Sequence, residues 1–375
     1  MSQDMLDMLA DAAASFARPD AARVRRLRGT PEGFDRARWR AMAELGWFSV
    51  VVPESAGGLG LGAAAAATIA TALGRAAAPE PFVASGLIAP WCLSRADGSQ
   101  AASTLAAVLA GEQVIALAWQ PEQGCLEPDG TGLLATPQTD GSLRLSGTAR
   151  FAAPASADGF LVAARLPEGL ALGLLPRDRE GLVRLDEPAA DGTASAVLRL
   201  SDVRLAADEL LAIGTRAGSL VRDALDVALV ASAAELVGLM DHALDITLDY
   251  LRTRKQFGKP IGSFQALQHR AVDLWIQRQL ARAAVDAAAA VLDSPGADAR
   301  ARTQAASSAK ARAAHAALML CNQSVQLHGA IGFTDEYELG IYLNRALSLS
   351  AWLGNAAEHR RRWGALTEAT GTQTA

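Results

Sequence analysis

The sequence predicts an α+β protein in three parts: an N-terminal helical domain over residues 1–112, a middle antiparallel β-barrel or sandwich over 113–213, and a C-terminal four-helix bundle over 214–375. Three observations predict this order. The first and last stretches are Ala-rich, with apolar residues three and four apart, the period of a helix that buries one face. Between them lie short runs with β character, separated by Gly, Pro and Asp. At 375 residues, 50% of them hydrophobic, the chain exceeds the usual size of one domain and can bury a large core.

In the first part Met5, Leu6, Leu9 and Phe16 mark an apolar helical face, and Pro31, Pro53, Pro79, Pro81 and Pro90 punctuate the helices. Ser55-Ala56-Gly57-Gly58-Leu59-Gly60 is a flexible helix-to-helix turn. It lacks the Gly-Lys-Ser/Thr ending of a phosphate loop, and no strand leads into it. The middle part gives strands near 114–118, 142–151, 160–164, 170–175, 182–185 and 196–205. The last gives helices near 217–256, 264–292, 297–327 and 336–363, with Asp293-Ser294-Pro295-Gly296 as a break. Their near all-round apolarity implies burial against other subunits.

A net charge of −5 and a pI near 5.6, with no face-long Lys/Arg cluster, argue against a nucleic-acid footprint. Cys92, Cys125 and Cys321 are widely spaced and form no Cys-x-x-Cys pair, which suits a reducing compartment and excludes a zinc knuckle. No basic leader opens the sequence, and no apolar run approaches the ~18 residues of a membrane span. The expectation is a cytoplasmic protein.

The chemistry-bearing stretch runs from Tyr250 to Ala271. Arg252, Arg254 and Lys255 end an apolar helix, and Gly258 and Pro260 stop it. Ser263 is placed to cap a second helix starting near Phe264, which would gather Arg254, Gln256 and Gln265 at one tight corner. Basic groups beside planar amides suit a diphosphate, because Arg offers a bidentate fork and Gln both donates and accepts. For the arginines alone, a solvated helix end is the simpler account. The full run Gln-Phe-Gly-Lys-Pro-Ile-Gly-Ser-Phe-Gln is too particular for that account.

Arg254-x-Gln256-Phe257-Gly258-x-Pro260-Ile261 with Phe264-Gln265 resembles the C-terminal signature of the flavin-dependent acyl-CoA dehydrogenase family. The likeness extends in order through Leu45-Gly46-Trp47-Phe48, Val52-Pro53-Glu54 and Gly57-Gly58-Leu59-Gly60 to Gln326-x-x-Gly329-Ala330-x-Gly332-Phe333. It implies that Arg254, Gln256, Phe257, Gln265, Gln326 and Gly329 reach across a subunit interface to the diphosphate and adenine of a neighbour's FAD. It further implies an acyl-CoA substrate, a dimer or tetramer formed with itself or a homologous subunit, and an electron-transfer flavoprotein or other acceptor.

The resemblance fails where the chemistry should sit. Removing the α proton while flavin N5 takes the β hydride needs a carboxylate. The family's Glu, in a Tyr-Glu-Gly-Thr/Ser segment, falls here on Trp352-Leu353-Gly354-Asn355, so Leu353 holds the base position. The minority placement falls on Ala228-Leu229 and is also empty. The family's flavin-gripping Thr-Glu-Pro and Trp-Ile-Thr become Trp119-Gln120-Pro121 and Arg150-Phe151-Ala152-Ala153, with hydroxyl donors lost. Glu235, two turns beyond Ala228 on the same face, is a weak candidate base; at 1.5 Å per residue it lies about 10 Å deeper, where a structural carboxylate is the better reading.

Thr334 and Asp335 read as a helix N-cap. His328 is either a cofactor neighbour or a satisfied structural histidine, and the other histidines show neither a nucleophile partner nor metal spacing. The function expected from this is that of an FAD-dependent acyl-CoA dehydrogenase working within a heteromeric assembly, with a non-catalytic subunit completing a homologous partner's FAD site and a flavin-free scaffold as the alternatives.

Overall fold

The structure is a computed structural model that describes residues 3–368. In chain order its helices and strands are α1 (Gln3–Phe16), α2 (Ala21–Leu27), α3 (Arg36–Glu44), α4 (Gly62–Arg75), α5 (Ile88–Leu93), α6 (Ser99–Leu109), β1 (Ile115–Ala118), β2 (Leu133–Pro137), β3 (Leu143–Ala152), β4 (Gly159–Arg165), β5 (Leu170–Pro176), β6 (Leu182–Pro188), β7 (Ala194–Leu205), β8 (Leu210–Ile213), α7 (Gly214–Thr253), β9 (Lys255–Gln256), β10 (Lys259–Pro260), α8 (Gln265–Leu292), α9 (Ala299–His328), α10 (Leu339–Ala351) and α11 (Ala356–Glu368). Helix, sheet and helix follow one another as the α+β pattern requires. Two compact units emerge: one holds the residues up to Arg26, Ala63–Ala78 and those from Leu229 onward, the other holds Leu27–Gly62 and Pro79–Ala228.

The second unit is built on an eight-stranded sheet in the order β6-β7-β3-β2-β4-β5-β8, with β1 also pairing β4. Pairing is antiparallel except where β4 meets β1 and β2. Strands β4 and β5 are buried along nearly their whole length, so they read as continuous apolar runs, whereas edge strand β6 mixes exposed and half-buried positions. Two strands escape the sequence pattern. β2 (Leu-Leu-Ala-Thr-Pro) has one β-branched residue and ends in Pro, and β8 is only four residues long.

In the helical unit, α4 and α7 meet at backbone contact. A Cβ built on Gly74 would lie 2.0 Å from the Glu235 carbonyl oxygen, and one on Gly238 would lie 1.9 Å from that of Thr71. No residue but glycine lets two helices approach so closely. Arg75 Nη2 to Asp245 (2.8 Å) and Tyr342 Oη to the Arg75 carbonyl (3.1 Å) flank the crossing.

Three sequence expectations change. The fourth long helix, expected over 336–363, is two helices. Leu353 and Gly354 both take positive φ (57° and 102°), which no α-helix tolerates. Asn355 then restarts the chain: its Oδ1 accepts from the Ala357 and Glu358 amides, and Glu358 Oε2 accepts from the Asn355 amide, a reciprocal capping box. Neither Thr334 nor Asp335 caps a helix. Thr334 Oγ1 donates to the Ile331 carbonyl, Asp335 stands 4.0 Å from Arg25, and α10 begins only at Leu339. Finally, α7 does contain an 18-residue window long and apolar enough to cross a membrane, but 94% of it is buried inside the protein, as for a core helix.

Candidate functional site

The corner after α7 is a two-residue ribbon. β9 and β10 pair antiparallel around Phe257 and Gly258, whose φ values are 54° and 77°. Ser263 does not cap α8 as its position in the sequence suggests. Its Oγ donates to the Pro260 carbonyl at 2.8 Å, and Phe264, at the N-cap position, offers no side-chain bond. Arg254, Gln256, Phe257 and Gln265 are all exposed, Phe257 at 90%. Gln256 Nε2 donates to the Lys255 carbonyl at 2.9 Å, whereas the Arg254 and Gln265 side chains make no hydrogen bond or ion pair among the described residues.

The late segment lies at the end of α9, where Gln326 is exposed and likewise makes no side-chain bond among the described residues. Gly329 turns the chain with φ 64° and ψ −140°, a region open only to glycine. The structure brings this segment to the end of α7: the His328 and Tyr250 rings stack with centroids 4.4 Å apart. An unengaged cation with unengaged amides is a donor set that suits a diphosphate and an adenine edge, so the chemistry of these residues is compatible with the FAD contact that the resemblance implies.

The β-sheet residues aligned with the family's flavin grip do not fit in the same way. Gln120 is 3% exposed and its Nε2 is spent on the Cys125 carbonyl at 2.7 Å, while Arg150 pairs with Glu187 and lies over the Phe151 ring. Ala152 and Ala153 carry no donor beyond the main chain. Among the described residues no cluster of three or more His, Cys, Asp or Glu could hold a metal ion.

Leu353 is 7% exposed and its turn is held from two helices. Lys310 of α9, fully buried, donates to the Leu349 carbonyl and lies 3.2 Å from Ser232 Oγ; His359 of α11 donates from Nε2 to the Leu353 carbonyl at 2.9 Å. Left-handed φ occurs at five non-glycine positions among the described residues: Ala77, Phe151, Asp202, Phe257 and Leu353. Three of these, Phe151, Phe257 and Leu353, fall where the resemblance marks flavin grip, cofactor contact and base, and strain of this kind persists only where the surroundings impose it. The second base position is closed, with Ala228 at 0% and Leu229 at 3% exposure. Glu235 is held by Arg345 through Nε (3.0 Å) and Nη2 (2.6 Å), so its charge is committed to a buried ion pair.

Burial lowers the Lys310 pKa to about 7, partly offset by Glu235. Burial, then the Lys310 charge, lowers that of His359 to about 3. Between pH 6.5 and 3 the unfolded chain therefore binds a proton at His359 that the folded chain refuses, and stability falls with pH at up to about 1.4 kcal/mol per unit. Replacing His359 by Gln is expected to flatten the urea midpoint between pH 6.5 and 4. An unchanged slope would show that His359 titrates normally.

Unannounced by any motif is a cavity of about 470 Å³ in the sheet-bearing unit, where the β4–β5 hairpin bridges the start of α7 through Leu170 and Gly214. Thr215 and Ser219 of the first turns of α7 line it, with Arg165, Arg222 and Asp129. Arg222 stands 3.9 Å from both Glu127 and Asp129, whereas Arg165 is exposed and has no ion pair among the described residues. These groups come from separate segments, so no short stretch of sequence could have signalled them.

Residues 3–112 match the acyl-CoA dehydrogenase N-terminal domain and residues 218–365 the C-terminal domain. The chain is 30% identical over 363 residues to the acyl-CoA dehydrogenase IpdE2 of Mycobacterium tuberculosis, covering 96% of this chain and 95% of that protein. With FadE34 of the same organism, also an acyl-CoA dehydrogenase, identity is 30% over 370 residues, 95% of this chain but 46% of that one. Among solved structures, a variant of the Tcur3481-Tcur3483 steroid ACAD superposes with a TM-score of 0.87 at 29% identity, covering 98% of this chain and 99% of the other. The chain belongs to the acyl-CoA dehydrogenase family, FAD-dependent oxidoreductases that act on CH–CH bonds.

Proposed function

We propose that this chain is a subunit of a heteromeric FAD-dependent acyl-CoA dehydrogenase, and that it completes the FAD site of a homologous partner that carries the catalytic Glu. One contrast carries this reading: the base position holds a buried Leu353, while Arg254, Gln265 and Gln326 stand exposed and, among the described residues, unengaged. Bound FAD supplies the acceptor for the β hydride. Toward it, Arg254 would hold the diphosphate, Gln256, Gln265 and Gln326 would bond phosphate or adenine edges, Phe257 would pack on the adenine, and Gly329 would let the main chain come close. Leu353, at the base position of this chain's own site, takes no proton.

Support for pairing comes from the relatives. The similar steroid enzyme's name joins two components, and FadE34 has room for more than one chain of this length. In this reading, residues 1–112, 113–213 and 214–375 remain the working domains, and electrons leave to an electron-transfer flavoprotein or other acceptor. Three free cysteines suit the cytoplasm. The cavity beside Arg165 offers the phosphate-bearing end of an acyl-CoA a cation and two hydroxyls.

Expression alone and together with a Glu-bearing homologue tests the proposal. The lone protein is expected to purify colourless and the pair yellow; a yellow lone protein with stoichiometric FAD would reject it. In the pair, Arg254→Ala is expected to weaken FAD retention by at least about tenfold, the worth of a charge-assisted phosphate contact, and Lys255→Ala far less. Equal losses would mean the corner is only a solvated face.

A further inference from the structure

His328 lies at the meeting point of both cofactor-reaching segments. It is 3% exposed and sits between Tyr250, stacked at 4.4 Å and 25°, and Tyr337, tilted at 4.9 Å and 48°. Its Nδ1 is 2.7 Å from the Ser324 carbonyl, an atom that can only accept, so Nδ1 carries the proton. Nε2 is then bare, and at 3.1 Å it accepts from the Tyr337 hydroxyl. Burial lowers the basicity of the ring against a smaller pull from the Ser324 and Ile246 carbonyls, which favours this neutral form.

The ring's neighbours are the exposed groups themselves. Gln326 and Gly329 flank His328 in the chain, and Tyr250 lies one helical turn before Arg254. The segment also folds back on the ring: a Cβ built on Gly332 would lie 3.0 Å from that of His328. A histidine serving only to fill space would need the stack alone. Here two directional bonds fix which way the ring faces, and with it the α9 terminus from which Gln326 and Gly329 project.

We infer that His328, held as its Nδ1–H tautomer by the Ser324 carbonyl and fixed in its facing by the Tyr337 hydroxyl, is a positioning residue that sets the spacing between Arg254 on one side and Gln326 with Gly329 on the other, so that one adenine diphosphate meets both. The inference rests on the FAD-completing role proposed above. Tyr337 touches no cofactor group in it and acts only through His328.

The test uses the full chain in its paired assembly, stripped of flavin and titrated with FAD, as wild type, Arg254→Ala, Tyr337→Phe, His328→Phe and His328→Leu. Thermal midpoints are measured alongside, together with ¹⁵N spectra of histidine-labelled protein, which has five histidines per chain. Tyr337→Phe removes one hydroxyl from a half-buried ring, so its midpoint should hardly move, while its FAD Kd should rise about 3- to 10-fold, the worth of one hydrogen bond. In the same variant the His328 ring should stay Nδ1–H, held by the Ser324 carbonyl, while its Nε2 signal moves downfield as that nitrogen loses its hydrogen bond. His328→Phe keeps the stack and should recover the midpoint lost in His328→Leu, but not the FAD affinity. If Arg254→Ala weakens FAD while Tyr337→Phe and His328→Phe bind normally, His328 is a packing residue and this inference falls alone. If wild type and Arg254→Ala bind FAD equally, or neither binds it, the FAD-completing role falls and takes this inference with it. An Nε2–H tautomer in the wild type also overturns the inference.

Discussion

Anaerobic mixing of the wild-type protein, reconstituted with excess FAD in the absence of any homologous subunit, with a panel of saturated acyl-CoAs is expected to leave the flavin absorbance standing. A positioned general base is worth about 10²–10⁴-fold in rate, and Leu353 cannot serve as one. The turn that would present such a base is still built. Leu353 keeps a left-handed φ of 57°, and its carbonyl and that of Leu349 are held by His359 and Lys310, bonds that do not depend on the side chain at 353. Leu353→Glu should therefore bleach flavin faster than the wild type. Burial would raise the new carboxyl's pKa, which costs stability but suits a base. If the flavin grip around Gln120 and Ala152 is too weak, the substitution changes nothing. Rapid bleaching by the wild-type protein alone would show that a base exists elsewhere, and Glu235 would be the first residue to replace.

The largest stability effect is expected at Gly238. A methyl group there would lie 1.9 Å from the Thr71 carbonyl oxygen and 2.7 Å from the Arg75 amide nitrogen, both backbone atoms of α4 that cannot swing away. Alanine gains up to about 1 kcal/mol in helix propensity, but forcing two packed helices apart costs about 3 kcal/mol, the upper end of overpacking penalties, because backbone atoms cannot swing away, so the clash wins. Gly364 in α11 is the control, since a Cβ there meets nothing within 4 Å. Gly364→Ala should raise stability by about 0.5–1 kcal/mol. Urea unfolding of both variants decides it, and a Gly238→Ala protein as stable as the wild type would mean that α4 and α7 are not held so close.

What the sequence discloses here is mostly local. Helical periodicity and β texture place the helix, sheet, helix order, and the run from Arg254 to Gln265 marks its corner because the functional groups are contiguous. The break at Leu353 could be read only in part. Asn355 and Glu358 have capping-box spacing, but nothing about a leucine announces a positive φ, which depends on bonds from α9 and α11. β2 and β8 are strands because neighbours pair with them rather than through their own propensity. Ser263 and Thr334 have cap-forming chemistry, yet each hydroxyl found a nearer carbonyl. The stacking of Tyr250 on His328 and the cavity beside Arg165 join distant segments, and no window on the sequence contains them.

The exposed Phe257 has a consequence for synthesis. Held at 90% exposure on a left-handed turn, with Phe333 at 78%, it gives a chain lacking its neighbour a pair of bare aromatic rings. Such rings are what chaperones and aggregating chains bind. On the proposed paired assembly, any excess of this chain over its partner would thus burden the cell, and matched production of the two would serve solubility as well as catalysis.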